Sequence, residues 1–289
     1  MSLRAEGLWL INMIYKNDTA SLLSELDRQA ATAPNRTLRV QHKQDWVWIK
    51  KSVPAKRKIW HCLQCLLSSF FPILQVTVSP GGVEGLEIEA KRAQVFRDAG
   101  FWAPRVYAVT DKWILLECMG TTIYDYLQNH PRLSSGRIEE IAYNCGRELG
   151  RVHEAGLYHG RAKIKDMVLG EDGRIGFIDF EENCDRTKMS IDRLQARELW
   201  LFLTSLARFS DRCAPIYRSA CEGYKSACTN ERVLGALERF IKLLKPFRRL
   251  LYFWRHKIRK DVKYAYEATY ALEKILPLRM FLFFFLAVE

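Results

Sequence analysis

The residues best placed for chemistry lie in the stretch Tyr158–Asn183, YHGRAKIKDMVLGEDGRIGFIDFEEN. It holds a His-Gly pair at His159 and Gly160, an aspartate at Asp166, and an Asp-Phe pair at Asp179 and Phe180. Met167–Leu169 and Ile175–Ile178 read as two short strands around the turn Gly170-Glu171-Asp172-Gly173, so Asp166 and Asp179 flank one hairpin and can converge at its mouth. Two carboxylates so placed suit Mg²⁺, which keeps several waters and is held by one or two carboxylates together with substrate phosphates. The pair therefore implies a phosphorylated ligand. The plainer reading is that both aspartates cap turns and that His159 braces the backbone beside Gly160. The paired spacing favours the functional reading.

Such groups need a scaffold to position them. Thr37–Val53, TLRVQHKQDWVWIKKSV, predicts an antiparallel hairpin turned at Lys43–Asp45, with Lys50 near the end of its second strand. By itself Lys50, followed by Lys51, reads equally as a solvated charge at a strand end. Ser79-Pro80-Gly81-Gly82 punctuates the chain before a helix from about Val83 to Ala99, whose apolar stripe is Leu86, Ala90, Ala93 and Phe96 and which ends at Gly100. Glu89 lies on that helix among Glu87, Lys91 and Arg92, where alone it reads as a surface residue making i,i+3 or i,i+4 pairs. Pro104–Val109 and Trp113–Glu117 predict a second strand pair. After Gly120 the texture is helical, with Ile123–Asn129, then Ser135–Gly156 with one apolar stripe, and helices from Asp192 onward.

The expected fold is α+β. Residues 1–36 form an amino-terminal extension without an assigned role; 37–120 form a small mixed lobe with an apolar insertion over 56–80; 121–289 form a helical lobe ending in basic, aromatic-rich helices.

With these residues in order, the chain resembles the protein-kinase-like superfamily, whose catalytic loop H-R-D-x-x-x-x-N is followed by D-F-G. His159 matches the His, Asp166 stands at the Asn position, and Asp179-Phe180-Glu181 stands for D-F-G. Trp48-Ile49-Lys50 is similar to the strand whose lysine holds the α- and β-phosphates, with Glu89 as that lysine's partner. Leu115–Gly120 is similar to the hinge, where backbone groups of Glu117 and Met119 would meet adenine. Within the superfamily the likeness is to the bacterial lipopolysaccharide-core (Kdo and heptose) kinases and to the Bud32-like small atypical kinases, through the compact first lobe, the phrase Ala99–Val106 and the apolar insertion. The resemblance implies a two-lobed fold binding ATP and Mg²⁺. Lys50 would orient the phosphates, Asp166 and Asp179 would bind the metal, and Lys163 with Arg161 would neutralise developing charge.

Three departures stand beside these matches. Arg161 occupies the place of the catalytic aspartate and cannot act as a base. No G-x-G-x-x-G precedes Lys50, so a lid over the phosphates must be built from other residues, and D-F-G has become D-F-E. Phosphoryl transfer depends chiefly on positioning and charge neutralisation, so the favoured expectation is an active phosphotransferase, with Asp166 or Glu181 as a displaced base. Its implied acceptor is a hydroxyl of a lipopolysaccharide core sugar or related membrane glycolipid. The alternative is a pseudokinase acting as a membrane-associated binding or regulatory module.

Composition sets the frame. At 289 residues, 48% apolar and 27% charged, the chain can bury a sizeable core and is neither disordered nor of low complexity. Lys and Arg number 45 against 33 acidic residues, and the +12 balance favours anionic partners. Lys225–Lys263 carries twelve Lys and Arg against three acidic residues. There Phe240, Phe247 and Leu250–Trp254 interleave with Lys242, Lys245, Arg248, Arg249, Arg255 and Lys257, which suits either a solvated helical face or peripheral contact with an acidic membrane. No base-reading motif appears, so nucleic acid is the least favoured partner. The eight scattered cysteines suit a reducing compartment, and Cys62-x-x-Cys65, lacking a second pair, reads as structural. Leu8–Ile14 has no signal-peptide pattern, and Ile59–Val78 and Leu276–Val288 are too interrupted to span a bilayer. The expected location is cytoplasmic, extended by the resemblance to the inner face of a bacterial inner membrane.

Overall fold

A computed structural model describes residues 19–42, 45–54, 80–182, 189–254 and 260–275. The Thr37–Val53 pattern forms strands β1 (Thr37–His42) and β2 (Asp45–Lys51), antiparallel from Thr37 opposite Lys50 to His42 opposite Asp45. With β3 (Val106–Val109) and β4 (Trp113–Glu117) they make a four-stranded sheet of order β1-β2-β4-β3.

Alternation along the strands decides which face each side chain takes. Val47 and Ile49 share one face with Val40, Ala108, Trp113 and Leu115, and helix α1 (Thr19–Thr32) covers it with Leu26 and Ala30. Trp48, Ile114 and Leu116 take the other face, against Leu86 and Ala90 of helix α2 (Gly82–Asp98). Lys50 falls on this second face by register. The buried stripe of α2 includes Glu89 between Leu86 and Ala93, so sheet and helix bring a lysine and a glutamate together inside the lobe. Gly82 N–H donates to the Val53 carbonyl at 2.8 Å and Pro54 bridges Gly81, which ties the end of β2 to the start of α2.

Beyond Gly120 come β5 (Thr121–Thr122), α3 (Ile123–Asn129), α4 (Ser135–Glu154), β6 (Met167–Leu169) and β7 (Ile175–Phe177), with β5-β6-β7 forming a second sheet. Thr122 and Ser134 cap α3 and α4 by accepting from the N–H groups of Asp125 and Arg137. Then follow α5 (Ile191–Leu206), a 3₁₀ turn (Ala207–Phe209), α6 (Ile216–Ala227), α7 (Glu231–Trp254) and α8 (Lys260–Ile275). A small antiparallel-sheet lobe and a larger helical part make a two-lobed, kinase-like α+β fold. The apolar stripe of α4 is buried from Ile138 to Val152. Its Gly146 faces the Ala220 carbonyl of α6, where an added Cβ would come within 2.0 Å, so these two helices pack backbone to backbone. The large core also takes in Ala93, Phe96, Phe101 and Ala103 from before Gly120.

One element of the lipid-surface expectation changes. Phe240 is buried, with its ring 5.2 Å from that of Trp200, because the apolar stripe Val233, Leu237, Phe240 and Ile241 of α7 closes the helical core. Lys242 and Lys245 pair with Glu238 and Glu273, each at 2.8 Å. Among the described residues no helix is long and apolar enough to cross a membrane, and the described cysteines are free thiols. The Lys56–Lys58 cluster, Cys62, Cys65 and the Phe281–Leu286 run lie outside the described residues.

Candidate functional site

Lys50 stands at the centre of a charged cluster. Its Nζ lies 3.0 and 2.8 Å from the two carboxylate oxygens of Glu89, 2.6 Å from Asp179 Oδ1 and 3.4 Å from Glu181 Oε2. Burial alone would depress the Lys50 ammonium, but Glu89, Asp179 and Glu181 outweigh it and raise its pKa above the ordinary lysine value. Asp179 behaves in the mirror sense: burial pushes its carboxyl up, yet Lys50 and then Arg161 hold it well below the ordinary range. Glu89 is 1% exposed, and there burial wins over Lys50 and raises the carboxyl.

The loop that carries the remaining groups is pinned from several elements. Arg92 of α2 donates to the carbonyls of Tyr158 at 2.7 Å and Phe180 at 3.4 Å, and also to that of Glu182. From α5, Arg197 donates to the Gly160 carbonyl at 2.9 Å and Glu198 accepts the His159 N–H at 2.8 Å. Gly160 has φ +99°, and a Cβ there would lie 2.7 Å from the Glu182 carbonyl, so the close approach of the two loops needs glycine. His159 packs its ring 4.6 Å from Phe180 and 6.2 Å from Phe96, with Nε2 2.9 Å from the Ile178 carbonyl. Burial lowers its pKa to about 4, so the ring is neutral at pH 7 and Nε2–H donates. It is a bracing residue in this fold. Asp179 has φ 69°, a left-handed conformation that costs a non-glycine residue about 1–3 kcal/mol. The neighbouring charges hold it there.

Arg161 bridges the two aspartates. Its guanidinium contacts Asp179 Oδ2 at 3.0 Å and Asp166 Oδ2 at 3.5 Å, and it also pairs with Glu182 Oε1. Asp166 is 2% exposed; burial pushes its carboxyl up to about 6 against the pull of Lys165 and Arg161. Its Oδ2 accepts no hydrogen bond. Oxygen donors with a buried, unsatisfied carboxylate oxygen fit a hard divalent cation, so Asp166 and Asp179 can hold magnesium, in competition with the Arg161 guanidinium. Among the described residues, Glu89, Asp179 and Glu181 are the one set of three whose ligand atoms all lie within 4.8 Å of one another, and Lys50 contacts all three.

A cavity of about 350 Å³ opens at this cluster. Trp48, Pro104, Leu116, Met119, Val168 and Ile178 give it apolar lining, and Arg36, Lys50, Glu89, Lys165, Asp166 and Asp179 give it charged lining. Glu117 also lines it, so six of the eight site residues named from sequence meet here, Lys50, Glu89, Glu117, Met119, Asp166 and Asp179, while Arg161 and Lys163 are not in the lining. Burial, then Arg161 and Lys165, depress the ammonium of Lys163. Sequence reasoning missed three residues. Arg36 sits just before β1 and forks onto Glu181, at 3.1 Å to Oε1 and 2.5 Å to Oε2, and no motif marks it. Lys165 pairs with Asp166 at 3.3 Å, and its adjacency was the available signal. Arg92 lies three residues after Glu89 on the same helix, a spacing that could have shown it facing the loop.

No known protein-family profile matches the chain. Over 97 residues, 34% of its length, it is 30% identical to a probable bifunctional tRNA threonylcarbamoyladenosine biosynthesis protein of Methanocorpusculum labreanum, covering 17% of that protein. Over 98 residues, 32% of its length, it is 33% identical to the KEOPS complex subunit Bud32 of Pyrococcus abyssi, covering 41% of it. The matched stretch thus spans less than half of either relative. Together with the two-lobed fold, these similarities support a place for this chain in the protein-kinase-like superfamily.

Proposed function

We propose that the chain is an atypical kinase-like protein that binds ATP with magnesium in the cavity and transfers the γ-phosphoryl group to a hydroxyl. The observation that carries this reading is the buried Lys50–Glu89 pair, with Asp179 at 2.6 Å from the same ammonium, in the wall of a cavity that is otherwise apolar enough to receive a nucleobase. Adenine would lie against Leu116, Met119 and Val168, with backbone groups of Glu117 and Met119 as its polar partners. Lys50 would hold the phosphates, and Glu89 would hold Lys50 in place. Asp166 and Asp179 would carry the metal, which when bound supplies neutralisation of phosphate charge. With arginine at position 161, acceleration comes from positioning and from the cations Lys50, Lys163 and Arg161.

The acceptor that the sequence resemblance implies is a hydroxyl of a lipopolysaccharide core sugar or related membrane glycolipid, reached by peripheral contact of the basic carboxyl-terminal helices with the inner face of a bacterial inner membrane. The names of the two relatives point elsewhere, to tRNA threonylcarbamoyladenosine biosynthesis and to a multisubunit complex, which makes protein partners a parallel proposal. Titration calorimetry of ATP with Mg²⁺ into the intact chain and into Asp179→Ala tests the shared core. Binding by the intact chain, lost in the variant only when magnesium is required, supports the reading; no binding by either defeats it. Transfer from γ-labelled ATP, scored on core oligosaccharide and on co-purified protein, then separates the acceptors.

One observation favours a second reading. Arg161 already grips Asp166, Asp179 and Glu182, as a cation built into the place of a metal in a nucleotide-binding module that does no chemistry. Asp166→Ala abolishes transfer under the first reading. Under the second there is no transfer to lose.

A further inference from the structure

We infer that Arg36 and Lys50 form an anion subsite at the charged wall of the cavity, filled here by the Glu181 carboxylate and taken over by a phosphate group when nucleotide binds. The inference deepens the nucleotide reading and rests on it for the identity of the anion.

The geometry is that of two cations meeting on one carboxylate. Glu181 Oε2 lies 2.5 Å from the Arg36 guanidinium and 3.4 Å from Lys50 Nζ, while a second guanidinium nitrogen reaches Oε1 at 3.1 Å. A guanidinium fork of this kind matches a phosphate as well as it matches a carboxylate. Lys50 and Arg36 would repel each other across this gap if no anion stood between them, so the pair selects for one.

The position of Arg36 is fixed by the same strand pair that carries Lys50. Lys51 N–H donates to the Arg36 carbonyl at 2.8 Å, and Arg36 Nε reaches the Lys51 carbonyl at 3.4 Å. Both cations line the cavity, whereas Glu181 is not in its lining. Arg36 is also the more accessible partner, with 34% of its side chain exposed against 12% for Glu181. The two-point contact from Arg36 and the approach of Lys50 make the Glu181 carboxylate the resident group of this subsite. The chain lacks a glycine-rich loop before Lys50, and Arg36 supplies from that side a charged grip instead of a ring of backbone N–H groups. Glu181, the residue that makes D-F-G into D-F-E, is then a competitor that a phosphate must displace.

The test compares adenosine, ADP and inorganic tripolyphosphate by titration calorimetry on the intact chain, Arg36→Ala, Arg36→Lys and Glu181→Gln, each first checked for an unchanged unfolding transition. Loss of a charge-assisted fork should weaken ADP and tripolyphosphate by about 10- to 100-fold in Arg36→Ala and leave adenosine within about twofold. Arg36→Lys should recover part of the loss, and Glu181→Gln should tighten ADP and tripolyphosphate but not adenosine. Parallel loss of adenosine and ADP, or a Glu181→Gln variant that binds ADP no better than the intact chain, overturns the inference. If the intact chain binds neither adenosine nor ADP, the proposed function fails. In that case Arg36-dependent binding of tripolyphosphate still upholds the anion subsite, and no binding of tripolyphosphate refutes it too.

Discussion

Replacing Lys50 by methionine keeps an unbranched chain only one atom shorter and removes its charge. Glu89 is then left 1% exposed with Lys50, its cation at 2.8 Å, gone, and with the ligand atoms of Asp179 and Glu181 within 4.8 Å of its own. Arg161 still serves Asp179 and Arg36 still serves Glu181, so the uncompensated charge falls on Glu89. Breaking a buried ion pair by removing one partner costs about 3–5 kcal/mol, which at about 2–4 °C per kcal/mol lowers Tm by about 6–20 °C. The sign of the pH dependence follows from the same carboxylate. Burial already raises Glu89, and loss of Lys50 raises it further above the unfolded value of about 4.3. A carboxyl with a raised folded pKa takes up its proton more readily when folded, so the penalty is absent below about pH 4 and grows as pH rises towards that folded pKa. Urea unfolding of the intact chain and Lys50→Met at pH 4.5 and pH 7 should therefore show the larger deficit at pH 7. Lys50→Met combined with Glu89→Leu should recover most of the lost stability, because an apolar pair of similar volume tolerates burial. A deficit below about 1 kcal/mol at pH 7, or a double variant as unstable as the single one, would refute the account of Lys50 as the compensating charge.

Four further outcomes follow from the geometry. Gly160→Ala places a Cβ 2.7 Å from the Glu182 carbonyl at φ +99°, and thermal unfolding should show a loss of about 1–3 kcal/mol. Gly223→Ala places one 2.0 Å from the Tyr143 carbonyl, which forces α4 and α6 apart, and the loss should be about 3 kcal/mol by urea titration. His159 is lowered from 6.5 to about 4 by burial, so the stability tied to its neutral form is complete above about pH 6.5 and is lost as pH falls towards 4; His159→Gln should flatten the unfolding midpoint across that window. Arg161→Ala removes the guanidinium that spans Asp166 and Asp179, and Mn²⁺ binding followed by calorimetry should tighten by roughly tenfold, or about 1.4 kcal/mol.

Much of the small lobe was legible because period and punctuation agree. Strand alternation accounts for Lys50 on the α2 face, but Glu89, which among Glu87, Lys91 and Arg92 reads as a surface residue, is buried beside Leu86, Ala90 and Ala93, and only the resemblance paired it with Lys50. The helix bounds shifted by one or two residues, with α2 ending at Asp98 and α4 at Glu154, as ends held by weak caps do. Helix α1 was not anticipated, although Leu23, Leu26 and Ala30 repeat at three and four residues and pack on the sheet. Strand β5 was missed because two threonines carry no period at all. Arg36 and the fork onto Glu181 join positions 145 residues apart, and no local pattern encodes such a contact. The basic, aromatic run in α7 was ambiguous in sequence because the same spacing serves a lipid surface and a core stripe, and Phe240 went to the core.

Charge balance explains why the unusual residues of this cleft occur together. Glu89, Asp166, Asp179, Glu181 and Glu182 are met by Lys50, Arg36, Arg161 and Lys165, each within 3.5 Å of at least one of them. The cluster is thus close to neutral as it stands, and a nucleotide brings several more negative charges. Two changes can accommodate them: a divalent cation can enter at Asp166 and Asp179, or carboxylates can release the cations they occupy. Arg161 resists the first, because it already spans the metal-type pair, and the Arg36–Glu181 fork is arranged for the second. The two routes differ in what they predict for double variants. If they act independently, the effects of Arg161→Ala and Glu181→Gln on ADP affinity add within about 0.5 kcal/mol. If both cations draw on Asp179 and Lys50 as one network, the double variant departs from additivity, and the size of that departure measures how far the site works as a single charged unit.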